Sequence, residues 1–177
     1  MRIPTTILVV GSSIIFGAVS IALAEASDFG ITESEFVKQH NARLDKRVRV
    51  KILERELAPD GLRDMVTYGF GGFCVRGISS TEKATKSVIS MTIVPYHCKS
   101  ATAANVSTFA VGAMVMRVLT DVDDLDETTR AVLDLSKKAM DADADGNGVR
   151  SANTQFGGRT ISLAIVNGTT IIKMFPD

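Results

Sequence analysis

The sequence Arg159-Thr-Ile-Ser-Leu-Ala-Ile-Val-Asn-Gly-Thr-Thr-Ile-Ile-Lys-Met-Phe175 contains the clearest structural signal in the chain. Two apolar, β-branched runs, 159–166 and 169–175, flank the dipeptide Asn167-Gly168. Asn-Gly is favoured in type I′ turns because both central residues of that turn need a positive φ. The stretch therefore predicts an antiparallel β-hairpin.

Upstream of this hairpin, the patterns predict three helices and a second pair of strands. Thr32-Glu-Ser-Glu35 has the form of a capping box, so a helix is expected from Glu33. Residues 65–78 and 87–94 are rich in aromatic and β-branched residues and predict strands, whereas 103–119 and 127–140 predict helices. The order α-ββ-αα-ββ predicts an α+β domain, with a mainly antiparallel sheet of about four strands and helices packed on one face.

Two segments allow more than one interpretation. Residues 47–53 alternate charged and apolar side chains, which suits either the end of a helix or the start of a strand. The overlapping basic run 46–51 is interpreted as a solvated face, with contact to an acidic partner or to membrane headgroups as the alternative. The run Tyr68-Gly-Phe-Gly-Gly-Phe73 combines aromatic rings with bare backbone. Such rings are usually core residues, and a binding patch is the alternative.

Composition limits the class of protein. The chain has 177 residues, of which 45% are hydrophobic and 23% charged, as in an ordinary globular domain. Lys and Arg number 20, and Asp and Glu also number 20. A nucleic-acid binder is expected to carry a basic excess, so the balance argues against that class of partner.

Residues 1–24 have the organisation of a secretory signal peptide. Arg2 is the only charge, residues 7–19 are apolar, and Ala22 and Ala24 occupy the −3 and −1 positions. We expect cleavage after Ala24, a single mature domain over 25–177, and a periplasmic or secreted location. A retained membrane anchor is the alternative, but glycines and serines dilute the apolar stretch and no basic cluster follows it. No stable membrane insertion is therefore expected after cleavage.

Cys74 and Cys98 are the only cysteines in the chain. In an oxidising compartment two cysteines predict one disulfide, which would stabilise the fold by about 3 kcal/mol on the chain-entropy model. A redox or metal site is the alternative, but the CxxC spacing typical of such sites is absent. The sequence therefore predicts a structural Cys74–Cys98 disulfide.

The segment 141–148, Asp-Ala-Asp-Ala-Asp-Gly-Asn-Gly, is the most site-like in composition. Aligned from Asp143, it resembles the first half of an EF-hand loop, which implies Asp143, Asp145 and Asn147 as candidate Ca²⁺ ligands. Thr154 stands where the bidentate Glu of such a loop belongs. A solvated loop without a cofactor is therefore the preferred interpretation, and a weak Ca²⁺ site is the alternative.

His40 and His97 are the only imidazoles, and no motif of a nucleophile elbow, zinc protease or phosphate loop occurs in 25–177. These observations favour a non-enzymatic module that binds another envelope or secreted protein, as an inhibitor, immunity or envelope-assembly factor does. The alternative is an exported hydrolase with a dispersed active site that uses His40 or His97.

The disulfide prediction can be tested by counting thiols. The exported protein, denatured without reductant, should show no free thiol, because both cysteines are in the disulfide. Reduction before the same assay should expose two thiols. Two free thiols without reductant would contradict the pairing.

Overall fold

A computed structural model describes residues 27–44, 49–59, 63–120 and 122–177. Three helices and seven strands occur in these ranges. The elements, in chain order, are α1 (Glu33–Ala42), β1 (Ile52–Pro59), β2 (Arg63–Phe70), β3 (Val75–Glu82), β4 (Val88–Pro95), α2 (Ala101–Leu119), α3 (Leu125–Asp141), β5 (Arg150–Phe156), β6 (Arg159–Val166) and β7 (Thr169–Pro176).

All seven strands form one sheet in the order β1-β2-β3-β4-β7-β6-β5, and every neighbouring pair is antiparallel. The predicted α+β class is confirmed. The expectation of about four strands is wrong, because the sheet has seven.

One cross-strand row shows where the core lies. The row contains one residue from each strand: Arg55, Tyr68, Gly77, Ile93, Ile172, Leu163 and Ala152. Partners in register share a face of the sheet. Phe36 of α1 lies with its ring centroid 5.4 Å from that of Tyr68, and a Cβ on Gly112 of α2 would lie 2.6 Å from Ile172 Cδ1. We call this face the helix face and the opposite one the open face.

The strand predicted over 65–78 is in fact a hairpin of two strands. β2 ends at Phe70, Gly71 and Gly72 form the turn with φ +81° at Gly72, and β3 begins at Val75. The interior glycines therefore mark a chain reversal, because glycine adopts positive φ without strain. β3 continues to Glu82, four residues beyond the end of the predicted strand.

The other two strands absent from the prediction, β1 and β5, are the edges of the sheet. β5 is largely polar, and β1 carries the charged run Glu54-Arg-Glu56. An edge strand has a neighbour on one side only and is often charged, so its apolar alternation is weak. The ambiguous segment 47–53 is settled in part, since β1 begins at Ile52, whereas residues 45–48 lie outside the described ranges.

The predicted helices are confirmed. The capping box of α1 forms, because Thr32 Oγ1 accepts from the Glu35 backbone N–H and Glu35 Oε2 accepts from that of Thr32. α2 is long and apolar enough to cross a membrane by length and composition, but 61% of its most apolar window is buried within the domain, as in a core helix. α3 begins after Asp124, whose side chain accepts hydrogen bonds from two backbone N–H groups of the first turn.

The predicted disulfide is also confirmed. Cys74 and Cys98 are bonded, with their Cα atoms 5.1 Å apart. They flank the open end of the β3–β4 hairpin, where Val75 pairs with Pro95. A disulfide is consistent with an exported protein. The predicted signal peptide, residues 1–24, lies outside the described residues.

The Asn-Gly hairpin forms as expected, with φ +50° at Asn167 and +76° at Gly168. Asn105 of α2 fastens this hairpin to the helix. Its Nδ2 donates to the Gly168 carbonyl at 3.1 Å, and its Oδ1 accepts from the Thr170 N–H at 2.8 Å. The Asn105 side chain therefore links α2 to the β6–β7 turn.

Asn105→Ala should lower the free energy of unfolding by about 1–2 kcal/mol, because both hydrogen bonds are lost. Val106→Ala is a suitable control, since Val106 is the neighbouring helix residue and is largely exposed. It should change the unfolding free energy by no more than about 0.5 kcal/mol. Urea unfolding followed by circular dichroism measures both variants. Equal losses would contradict the role given to Asn105.

Candidate interaction surface

β1 forms an exposed edge of the sheet. Within the described ranges it pairs only with β2. Leu53 is 64% exposed and Leu57 is 46% exposed. Together with Tyr96, which lies in a groove beside Leu53, they account for three of the seven large apolar side chains exposed in the described part of the chain. Exposed apolar side chains are therefore concentrated at this edge.

The side chains of β1 separate charge between the two faces of the sheet. Arg55 pairs in register with Tyr68, and Leu57 with Val66, so Arg55 and Leu57 lie on the helix face. Glu54 and Glu56 lie on the open face, because neighbouring residues of a strand point to opposite sides. The edge is therefore basic and apolar at Arg55 and Leu57, and acidic at Glu54 and Glu56 on the other face.

A groove of about 250 Å³ opens on the helix face beside Leu57; we call it the charged groove. Glu33, the first residue of α1, is 6% exposed in this groove. Its Oε1 and Oε2 accept from Arg55 Nε and Nη2 at 2.6 and 2.7 Å. This bidentate pair raises the pKa of Arg55. A buried carboxylate is stable only when paired, so Glu33 fixes the Arg55 guanidinium at the rim.

A second buried carboxylate, Asp64 of β2, lies in the same groove. Its Oδ2 is 2.9 Å from Lys86 Nζ, and its Oδ1 is 4.0 Å from Lys83 Nζ. The two lysines belong to the β3–β4 connection and remain about half exposed, as does Arg55. The charged groove thus has acidic groups at its base and cations at its rim. Beside it, burial raises the pKa of Tyr68, whose hydroxyl lies 2.9 Å from Ser79 Oγ.

A groove of about 270 Å³ opens at the β2–β3 turn; we call it the turn groove. Glu54 of β1 forms an ion pair with Arg76 of β3. The pair passes over Gly69 of the intervening β2, where a Cβ would lie 2.8 Å from Glu54 Oε2. The Arg76 guanidinium also stacks over the Tyr96 ring, 4.7 Å from its centroid. Glycine at position 69 is therefore needed for the contact that joins β1 to β3.

The aromatic run predicted as core, with a binding patch as the alternative, contributes two rings to the core, and the binding patch stays a prediction. Tyr68 and Phe70 are buried in the core, as the preferred interpretation expects. Phe73 is partly buried and, with Gly71 and Gly72, lines the turn groove.

The two imidazoles occupy different environments. His40 is fully buried between the rings of Phe36 and Phe70, at centroid distances of 5.8 and 5.6 Å. Its Nε2 donates to the Val50 carbonyl at 2.6 Å, and no described group hydrogen-bonds to its Nδ1. Burial lowers the pKa of His40 to about 4. His97 is exposed in the connection after β4, with its ring against Tyr96. The hydrolase hypothesis stays a prediction.

Asp143, Asp145 and Asn147 lie in an exposed loop after α3. Asp145 Oδ1 accepts from the backbone N–H groups of Asn147 and Val149, at 2.8 and 2.9 Å, so this carboxylate stabilises its own loop. No group of three or more His, Cys, Asp or Glu residues suited to a metal occurs in the described ranges. Ca²⁺ binding stays a prediction, which melting temperatures at millimolar Ca²⁺ would test.

The groups of the charged groove were not predicted as site residues. Glu33 was assigned only to the first turn of a helix, and Asp64 lay next to a predicted strand. The basic run 46–51 did not predict the charged groove. Of its basic residues, Arg49 and Lys51 are exposed, and residues 46–48 lie outside the described ranges. The alternation Leu53-Glu-Arg-Glu-Leu57 is the signal that could have identified the edge.

Gly69→Ala should lower the free energy of unfolding by about 1 kcal/mol or more, because the added methyl group collides with the ion pair above it. Gly146→Ala is the control, since a Cβ there would meet nothing within 4 Å. Urea unfolding of the two variants gives the comparison. Equal stability of Gly69→Ala and the parent protein would contradict the crossing of the ion pair over β2.

His40 should make stability depend on pH. Its pKa is about 4 in the folded protein, below its ordinary value of 6.5, so the unfolded chain binds the proton more readily. Its contribution to stability is present above about pH 6.5 and is lost as the pH falls towards about 4. Between about pH 7 and about pH 5 we expect a loss of about 1–2 kcal/mol beyond that of His40→Gln. Parallel pH profiles of unfolding free energy would contradict this prediction.

Comparison with known proteins does not identify a family. No protein-family model, curated protein or solved structure matches the chain.

Proposed function

We propose that this chain is an exported, non-enzymatic module that binds another envelope or secreted protein through the edge surface, defined as residues 53–57 with the charged groove and the turn groove. The observation that carries the proposal is the exposure of Leu53 and Leu57 on an eight-residue edge strand between two grooves. The predicted signal peptide and the disulfide support export.

The energetics favour a contact at this surface. Full burial of an exposed leucine side chain is worth about 1.5–3 kcal/mol. Leu53 and Leu57 are 64% and 46% exposed, so a contact that covers both would gain about half of that amount from each. Natural edge strands often carry charged side chains, which prevent nonspecific pairing with strands of other molecules. Glu54, Arg55 and Glu56 can provide that protection while leaving the surface open to a partner of matching charge.

Photo-crosslinking in the native host can test the proposal, because the full chain is then exported before capture. A photoreactive amino acid at position 53 or 57 should give a discrete adduct with one partner protein. The same amino acid at Leu133, a half-exposed position on α3, is the matched control and should not give this adduct. No adduct from either edge position, or the same adduct from position 133, would contradict the proposed function.

A further inference from the structure

We infer that the partner supplies an extended segment that joins β1 as an eighth strand, with basic side chains on the open face and acidic or apolar side chains on the helix face. The inference rests on the proposed function and specifies the chemistry of the partner at the same surface. Strand addition of this kind takes its affinity from backbone hydrogen bonds and its specificity from alternate side chains.

The start of β1 already shows how its outer edge accepts hydrogen bonds. The Asn41 side chain of α1 accepts from the Ile52 N–H at 2.9 Å and donates to the Ile52 carbonyl at 3.3 Å. In an antiparallel sheet, a residue of the neighbouring strand makes the same two hydrogen bonds with the backbone N–H and C=O of the residue opposite it. Asn41 therefore occupies the first position of the edge. The register of β1 shifts at Leu53, and beyond it no second strand pairs with β1 anywhere in the described residues, so 54–58 remain for an added strand.

On the helix face, the added strand would meet positive charge. Its side chains there would lie beside Arg55 and Leu57, because partners in register share a face. Arg55 is 48% exposed and Lys86 is 58% exposed, although each is paired with a buried carboxylate. The side chains of Glu33 and Asp64 are buried beneath these cations, so the cations are what a partner contacts first. Acidic or apolar side chains complement this rim.

On the open face, the same strand would meet negative charge. Glu54 is 67% exposed even with Arg76 as its partner, and Glu56 is exposed on the same face. A basic side chain opposite either group gives a favourable cross-strand pair, whereas an acidic one is repelled. Because the two faces carry opposite charge, a strand that alternates basic residues with acidic or apolar ones complements both.

The test uses a capped, fluorescent peptide, Lys-Glu-Lys-Leu-Lys-Glu-Lys, whose side chains alternate as required. Its control has the same composition in blocks, Lys-Lys-Lys-Lys-Leu-Glu-Glu. We expect saturable binding of the alternating peptide to the mature protein by fluorescence anisotropy, and binding of the control weaker by about tenfold. No saturable binding of the alternating peptide, or equal binding of both, would overturn the inference.

Backbone methylation separates strand addition from side-chain contact alone. In an extended strand, N–H groups of alternate residues point to the same side. One peptide is N-methylated on the inner Lys residues and another on the Glu and Leu residues. Methylation of one set should abolish binding, and methylation of the other should leave it unchanged. Equal effects of the two sets would overturn strand addition.

A substitution in the protein tests whether the peptide contacts the open face. Glu56→Lys should weaken binding of the alternating peptide by about tenfold, because attraction becomes repulsion. Asp134→Lys changes the net charge equally, on an exposed position of α3, and should leave binding unchanged. Equal effects would indicate general electrostatic attraction and overturn the inference. Crosslinks at positions 53 and 57 without peptide binding would leave the proposed function standing, whereas absence of those crosslinks contradicts the function itself.

Discussion

The pairing of β4 with β7 is the contact on which the sheet depends. Strands β1–β4 and strands β5–β7 are each consecutive antiparallel runs, and within the described ranges these two runs pair only through β4 and β7. Three residues of each strand are in register there, with Ile93 opposite Ile172 at one end and Met91 opposite Met174 at the other. α2 packs over this junction, and Gly112 lets it approach Ile172 closely. Thr108 of the same helix donates to the Thr170 carbonyl. The central helix therefore holds two otherwise separate hairpin systems in one sheet.

This arrangement also explains where the interaction surface lies. With α2 at the middle of the helix face, α3 packs beside β5 and β6, while α1 covers the start of β1 and the end of β2. Phe36 and His40 of α1 are buried against the core, but α1 ends at Ala42 and only Asn41 reaches the outer edge of β1. The remainder of β1 is left without a second neighbour in the described part of the chain. The exposed edge thus follows from the position of the helices.

Local sequence patterns were sufficient to predict many of the helices and strands. Asn167-Gly168 identified a hairpin because its turn needs positive φ at both residues, and Thr32 with Glu35 identified a helix start through reciprocal hydrogen bonds. The two cysteines allowed one pairing only. β1 and β5 were not predicted, because edge strands lack the regular apolar alternation of central strands. Interior glycines occur both where a continuous strand has a bulge and where the chain reverses. The sequence pattern at Gly71-Gly72 therefore did not distinguish the β2–β3 hairpin from one long strand.

The candidate surface was harder to predict because it combines residues that are distant in sequence. Glu33 and Arg55 are 22 residues apart, and so are Asp64 and Lys86. Burial of the two carboxylates depends on the packing of α1 against the sheet and on the β3–β4 connection, neither of which leaves a local pattern.

The same long-range pairs position charged side chains of the candidate surface within the folded domain itself. The capping box fixes the first turn of α1, that turn positions Glu33, and Glu33 holds Arg55 by two hydrogen bonds. On the opposite face, the ion pair across Gly69 holds Glu54. A charged side chain that is already ordered loses less conformational entropy on binding than a free one. In the proposed interaction, the buried acids and the glycine would contribute to recognition without touching a partner, because they hold Arg55 on one face of β1 and Glu54 on the other.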